Sequence, residues 1–127
     1  MKRIILAVLL TSTTSAAAND RASDQEALNT SFWILGYNYA MIRIGSDYCG
    51  LPESEWLSAR TRILTASLDY PGIDILKVER DLDRRYEQEK SRWGPNCDEN
   101  LLKMHKLSVE GIDRDLPDFR ELISKVR

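Results

Sequence analysis

The side chains that could take part in chemistry are few in this chain: one histidine, His105, and two cysteines, Cys49 and Cys97. Histidine titrates near neutral pH, but catalysis also needs a nucleophile or an orienting carboxylate within reach. No catalytic motif surrounds His105, which shares a face of a predicted helix with Leu101 and Val109. We therefore interpret His105 as a half-buried bundle residue and predict that the protein is not an enzyme.

The N-terminal segment has the pattern of a secretory signal peptide. A basic start at Lys2 and Arg3 precedes a short apolar run over residues 4–10, and small residues lead up to Ala18. This pattern predicts cleavage after Ala18, because small residues occupy the positions that the peptidase reads. The sequence thus predicts a signal peptide over residues 1–18, one domain over residues 19–127, and a periplasmic or secreted location.

The two cysteines predict one disulfide, Cys49–Cys97, because exported proteins fold in an oxidising compartment. The bridge would close a loop of about 48 residues, for which chain entropy gives roughly 4 kcal/mol of stabilisation. A metal site needs more thiolates or histidines at short spacing, and the acidic groups do not match a calcium loop. No metal and no cofactor are therefore expected.

Charge and hydropathy exclude two classes of partner. The formal net charge is −2, and removal of Lys2 and Arg3 with the leader makes it −4. Such a chain is not suited to binding nucleic acid or an anionic membrane surface. The apolar segment Phe32–Ile44 contains Asn38 and Arg43 and is too short for a membrane span.

The periodicity of apolar residues predicts an all-α fold, a small bundle of four to five helices. Apolar residues on most sides of residues 24–48, after a Ser23–Glu26 capping box, indicate a central first helix. Further helices are predicted over 53–69 and 74–93, the latter solvated because it carries dense mixed charge. A fourth helix would be capped by Asn96 and end at Gly111, and a fifth would begin at Pro117.

The first helix carries more apolar and aromatic surface than one partner face can cover, so we predict a binding surface near the disulfide. Tyr and Trp tolerate partial exposure at interfaces. The excess surface also makes a homodimer a candidate assembly. Arg43 is interpreted either as a local ion pair with Asp47 or as a charge that docks a ligand carboxylate. The candidate surface consists of Trp33, Tyr37, Tyr48, Trp56 and Arg43.

These observations favour a small exported helical protein that acts by binding another protein, as an inhibitor, an immunity protein or an envelope adaptor. The alternative is a periplasmic acid-stress chaperone, since the wide separation of Cys49 and Cys97 in a small exported helical chain resembles that class. The resemblance carries no residue roles. Small-ligand binding or an enzyme ranks third, because a helical domain of this size seldom forms a deep polar pocket.

Overall fold

The computed structural model describes the backbone of residues 2–127 and the side chains of residues 20–127, and over residues 20–127 all regular secondary structure is helical, with no strand. The all-α prediction and the single Cys49–Cys97 disulfide are confirmed. The predicted signal peptide over residues 1–18 stays a prediction, because the structure does not describe the side chains of this segment. The bundle has four helices, α1 (Lys2–Cys49), α2 (Glu53–Ser67), α3 (Ile75–Lys90) and α4 (Glu99–Val126).

Helix α1 lies at the centre of the bundle, as its apolar pattern predicts. No charged side chain occurs from Ala27 to Ile42, so this stretch must be covered by other helices. The helix does not begin at the predicted Ser23–Glu26 capping box, because neither glycine nor proline interrupts the chain between Asp20 and Gly36. The fully buried side chains of α1 are Leu35, Tyr39, Ala40, Met41, Ile42 and Ile44.

Helices α2 and α3 begin and end close to their predicted bounds. The turns before each helix contain glycines with positive φ, Gly50 at 65° and Gly72 at 72°, a backbone conformation that other residues rarely adopt. The Asp74 side chain caps α3 by accepting a hydrogen bond from the Lys77 N–H at 3.2 Å. These turns reverse the chain so that both helices pack against α1.

Two predictions about helix α4 are wrong, its N-terminal cap and its C-terminal end. Its cap is Asp98, which accepts from the Leu101 N–H at 2.8 Å, and not Asn96. The helix also continues through Gly111 and Pro117, so the predicted fifth helix is part of α4. An interior proline costs about 3 kcal/mol, but each buried apolar side chain contributes about 1.5–3 kcal/mol. The apolar stripe that spans the proline consists of Ile112, Leu116, Phe119 and Ile123.

Two glycines allow α1 and α4 to approach closely. A Cβ atom at Gly45 would lie 2.5 Å from Cδ2 of His105, and one at Gly111 would lie 2.7 Å from Nδ2 of Asn38. Both distances are shorter than van der Waals contact. On each helix, therefore, only a glycine leaves room for the polar side chain of the other helix. The two contacts fix the register of α4 along α1.

We predict that Gly45→Ala lowers the free energy of unfolding by about 1–3 kcal/mol, the usual cost of overpacking. Gly94→Ala is the matched control, because no atom lies within 4 Å of a Cβ there. Urea denaturation of both variants measures the difference. Equal stability of the two variants would contradict the close approach of Gly45 to His105.

The disulfide joins the C-terminal end of α1 to the loop before α4. The Cα atoms of Cys49 and Cys97 lie 5.0 Å apart, and no other cysteine is present. Helices α2 and α3 form the closed loop between them. The bridge therefore ties both ends of this loop to one pole of the bundle.

We predict that Cys97→Ser lowers the free energy of unfolding by about 4 kcal/mol, because the open chain gains entropy when it unfolds. Urea denaturation in the absence of reductant measures the loss. Reduced wild-type protein is the control and should show a similar loss. A wild-type chain whose gel mobility does not change on reduction would contradict the bridge.

Candidate functional site

Arg43 lies in a cluster of aromatic and charged side chains where α1, α2 and α3 meet. Its guanidinium carbon lies 4.5 Å from the Trp56 ring centroid and 4.0 Å from the Tyr86 ring centroid, within the range of cation–π attraction. Arg43 Nη1 donates to Tyr39 Oη at 2.9 Å and to Asp83 Oδ1 at 3.4 Å. These rings and acceptors surround the Arg43 guanidinium.

A second arginine shares the partners of Arg43. Arg60 of α2 donates to Asp83 Oδ1 at 2.7 Å and to Tyr39 Oη at 3.4 Å. A docking arginine would bind a carboxylate of the ligand. Arg43 already binds a carboxylate of the protein, that of Asp83. Since its partners come from the protein itself, we interpret Arg43 as a residue that joins three helices.

Asp47, the expected partner of Arg43, instead belongs to a neighbouring group. Tyr86 Oη donates to Asp47 Oδ2, and Lys90 Nζ donates to Tyr86 Oη at 2.9 Å. Burial, and then the hydrogen bond with Asp47, raise the pKa of Tyr86, so its hydroxyl stays protonated. Tyr48 is half-buried beside this group, with Lys90 Nζ 5.8 Å from its ring centroid.

Trp33 is the exposed member of the predicted surface, with 61% of its area accessible. Its ring stacks on Tyr37 at a centroid distance of 6.4 Å and an interplanar angle of 12°. The guanidinium carbon of Arg85, from α3, lies 4.0 Å from the Trp33 ring centroid. We call the open face of α1 the Trp33 surface; it consists of Asn29, Thr30, Trp33, Ile34 and Tyr37.

Arg85 is fixed in place by a buried ion pair. Its Nε donates to Glu89 Oε1 at 3.1 Å, and the two side chains are only 11% and 6% exposed. Its Nη1 donates to the backbone carbonyl of Trp33 at 3.2 Å. Helix α3 is therefore not solvated at these positions, contrary to the prediction from its charge density. The pair holds the guanidinium against the indole.

The five residues predicted as one surface form two groups. Trp33 and Tyr37 lie together on the open face of α1, whereas Arg43 and Trp56 lie together in the half-buried cluster, which Tyr48 adjoins through Lys90. The i,i+4 spacing of Arg85 and Glu89 predicts the ion pair that the structure shows, but not the contact of Arg85 with Trp33. The spacing alone does not reveal that the pair is buried.

His105 is buried where α4 packs on α1, and Glu55 of α2 faces it. Its Nε2 makes no hydrogen bond within the described residues, and Glu55 Oε1 lies 3.5 Å away. Burial lowers the pKa of His105, and the Glu55 charge opposes this effect in part. The position matches the interpretation of His105 as a bundle residue more closely than that of a catalytic group.

Residues 20–127 contain neither a metal site nor a membrane-spanning helix. No three His, Cys, Asp or Glu side chains gather there to hold a metal ion. No helix in that range is long and apolar enough to cross a bilayer. No family model, curated protein or solved structure shows significant similarity to this chain.

We predict that stability falls as the pH drops below about 6.5, the ordinary pKa of histidine, because His105 binds a proton more readily in the unfolded chain. His105→Gln should reduce this loss between pH 7 and pH 5. Urea denaturation at several pH values measures it, with Lys106→Gln at an exposed position of α4 as the control. An unchanged pH profile in His105→Gln would contradict the assignment.

Proposed function

We propose that the protein is a small exported helical domain that acts by binding another protein through the Trp33 surface. The observation that carries this proposal is the indole of Trp33, which is 61% exposed while the Arg85 guanidinium packs against it and Tyr37 lies beside it. An unpaired surface tryptophan is normally free to move. Here its geometry is set before any partner arrives.

A fixed tryptophan favours tight protein binding for two reasons. Tryptophan and arginine are enriched among the interface residues whose truncation costs about 2 kcal/mol or more. A side chain that is already ordered loses less entropy when it is buried in a complex. The neighbouring Ile34 is also exposed, so the apolar area extends beyond the indole.

Export is supported by the disulfide and by the leader pattern together. The only two cysteines form one bridge, and such bridges persist in oxidising compartments. An inhibitor, an immunity protein or an envelope adaptor fits a disulfide-bonded domain of this size with an exposed aromatic surface. The partner is accordingly a protein of the periplasm or of the extracellular medium.

An acid-stress chaperone is the second candidate, and the ion pairs between helices favour it. Arg60–Asp83 joins α2 to α3 at 2.7 Å, and Arg62–Asp113 joins α2 to α4 at 2.8 Å. In strong acid carboxylates as a class lose their charge while arginines keep theirs, so ion pairs between helices are lost, and protonation of His105 adds to the effect. Expansion at pH 2 with hydrophobic-dye binding supports this candidate, whereas a compact, dye-silent protein excludes it.

We predict that Trp33→Ala abolishes capture of the partner by the tagged, exported protein from its own host under oxidising conditions. Loss of the indole removes the central apolar contact of the surface. Mass spectrometry of the captured proteins measures the effect. Leu68→Ala is the matched control, because Leu68 is 60% exposed, lies at the end of α2 and lines neither of the two clefts beside Trp33.

A single protein captured in near-equal amount by wild type and Leu68→Ala, and lost in Trp33→Ala, is the expected result. The same partner retained by Trp33→Ala would contradict the assignment of the surface. Many weakly bound proteins that increase at low pH would favour the chaperone. Circular dichroism of each variant shows whether the fold is retained.

A further inference from the structure

The Trp33 surface is bordered on one side by the arginines of α3. A cleft of about 300 Å³ separates α1 from α3, and Arg84 and Arg85 line it with Asp81. Arg84 is 66% exposed, and the carboxylate nearest to it, Asp81 at 3.7 Å, also accepts from Lys77 at 2.8 Å. Arg85 is paired with Glu89, but Lys77 and Arg84 share the single carboxylate of Asp81, so these groups leave one positive charge on this border.

On the other side, the surface is bordered by carboxylates. A groove of about 470 Å³ between α1 and α4 is lined by Glu26, Asp115 and Asp118, next to Ile34. Asp115 accepts hydrogen bonds from Asn38 and Arg114, whereas Asp118 is exposed. This border is negatively charged.

The two borders lie at the same level along α1. The α3 cleft is lined by α1 residues between 29 and 36, and the α4 groove by α1 residues between 23 and 34. The uncharged Trp33 surface therefore has positive charge on its α3 side and negative charge on its α4 side. A second copy of the chain carries the same arrangement.

Symmetry determines which charges meet when two such surfaces face each other. A two-fold axis parallel to α1 sets the α3 border of one copy against the α4 border of the other, so arginines meet carboxylates at two places. A two-fold axis across α1, in the plane of the interface, sets arginines against arginines. The surface is thus self-complementary in the parallel arrangement only.

We propose that a second copy of this chain binds to the Trp33 surface, with the two α1 helices side by side and parallel. Trp33, Ile34 and the half-buried Tyr37 supply the apolar contact that drives association. The small side chains of Ala27 and Thr30 let the helices approach. The charged borders select the parallel orientation, since electrostatic complementarity sets specificity more than affinity.

This inference rests on the proposed function, because both assign the Trp33 surface to protein binding. The dimer goes further, because it identifies the molecule that covers the Trp33 indole when the partner is absent. The second copy and the partner occupy the same surface, so their binding is mutually exclusive.

We predict that the mature protein dimerises in analytical ultracentrifugation. Trp33→Ala should raise the dimer dissociation constant about tenfold or more, while Leu68→Ala leaves it unchanged. Arg84→Glu and Asp118→Lys should each weaken the homodimer about tenfold, because like charges then meet across the interface. A higher salt concentration should weaken the wild-type dimer as well.

Charge exchange gives the decisive measurement. The double variant Arg84→Glu/Asp118→Lys should dimerise like wild type. An equimolar mixture of the two single variants should form a heterodimer. In both cases a border of one charge again faces a border of the opposite charge. Failure of both to restore association, with circular dichroism unchanged, overturns the parallel dimer.

Different experimental results would contradict the dimer and the proposed function. A protein that stays monomeric at all concentrations, but whose partner is lost in Trp33→Ala, overturns the dimer and leaves the function intact. A dimer that Trp33→Ala abolishes, in a protein that captures no partner, supports the dimer and contradicts the function.

Discussion

The burial of α1 is the constraint on which the rest of the structure depends. From Ala27 to Ile42 this helix carries no charged side chain, so it is stable in water only when other helices cover it. Helices α2, α3 and α4 all pack on it, and the disulfide attaches the start of α4 to its C-terminal end. Glycines at Gly45 and Gly111 let the longest of these partners, α4, come close.

The same physical interaction, an arginine over an aromatic ring, serves two different purposes on α1. At Arg43 the guanidinium lies between two rings and donates to side chains of two helices, so it joins parts of the protein to one another. At Arg85 the guanidinium supports Trp33, whose other face is open. We therefore propose binding at the second site, where contacts with the protein leave an aromatic ring exposed.

The sequence predicted the elements whose signals are local. It did not predict helix ends or buried ion pairs that depend on packing between residues distant in the chain. The apolar periodicity of α1 and the Cys49–Cys97 pair identified the central helix and the bridge. Gly111 and Pro117 were interpreted as helix ends, but burial of the α4 stripe against α1 outweighs the local preference of both residues. Burial of the Arg85–Glu89 pair likewise depends on which face of α3 meets α1, which spacing along one helix does not specify.

The open face of α1 follows from the number of helices available to cover it. Three helices pack around α1, and between the positions of α3 and α4 they leave the strip that contains Trp33 and Ile34. A further helix would close this gap, but over residues 53–127 the apolar stripes are already buried in α2, α3 and α4. A helix from another molecule can take that place. The opposite charges of the two borders then restrict which helix fits and in which direction it runs, and a second α1 in parallel orientation satisfies both restrictions.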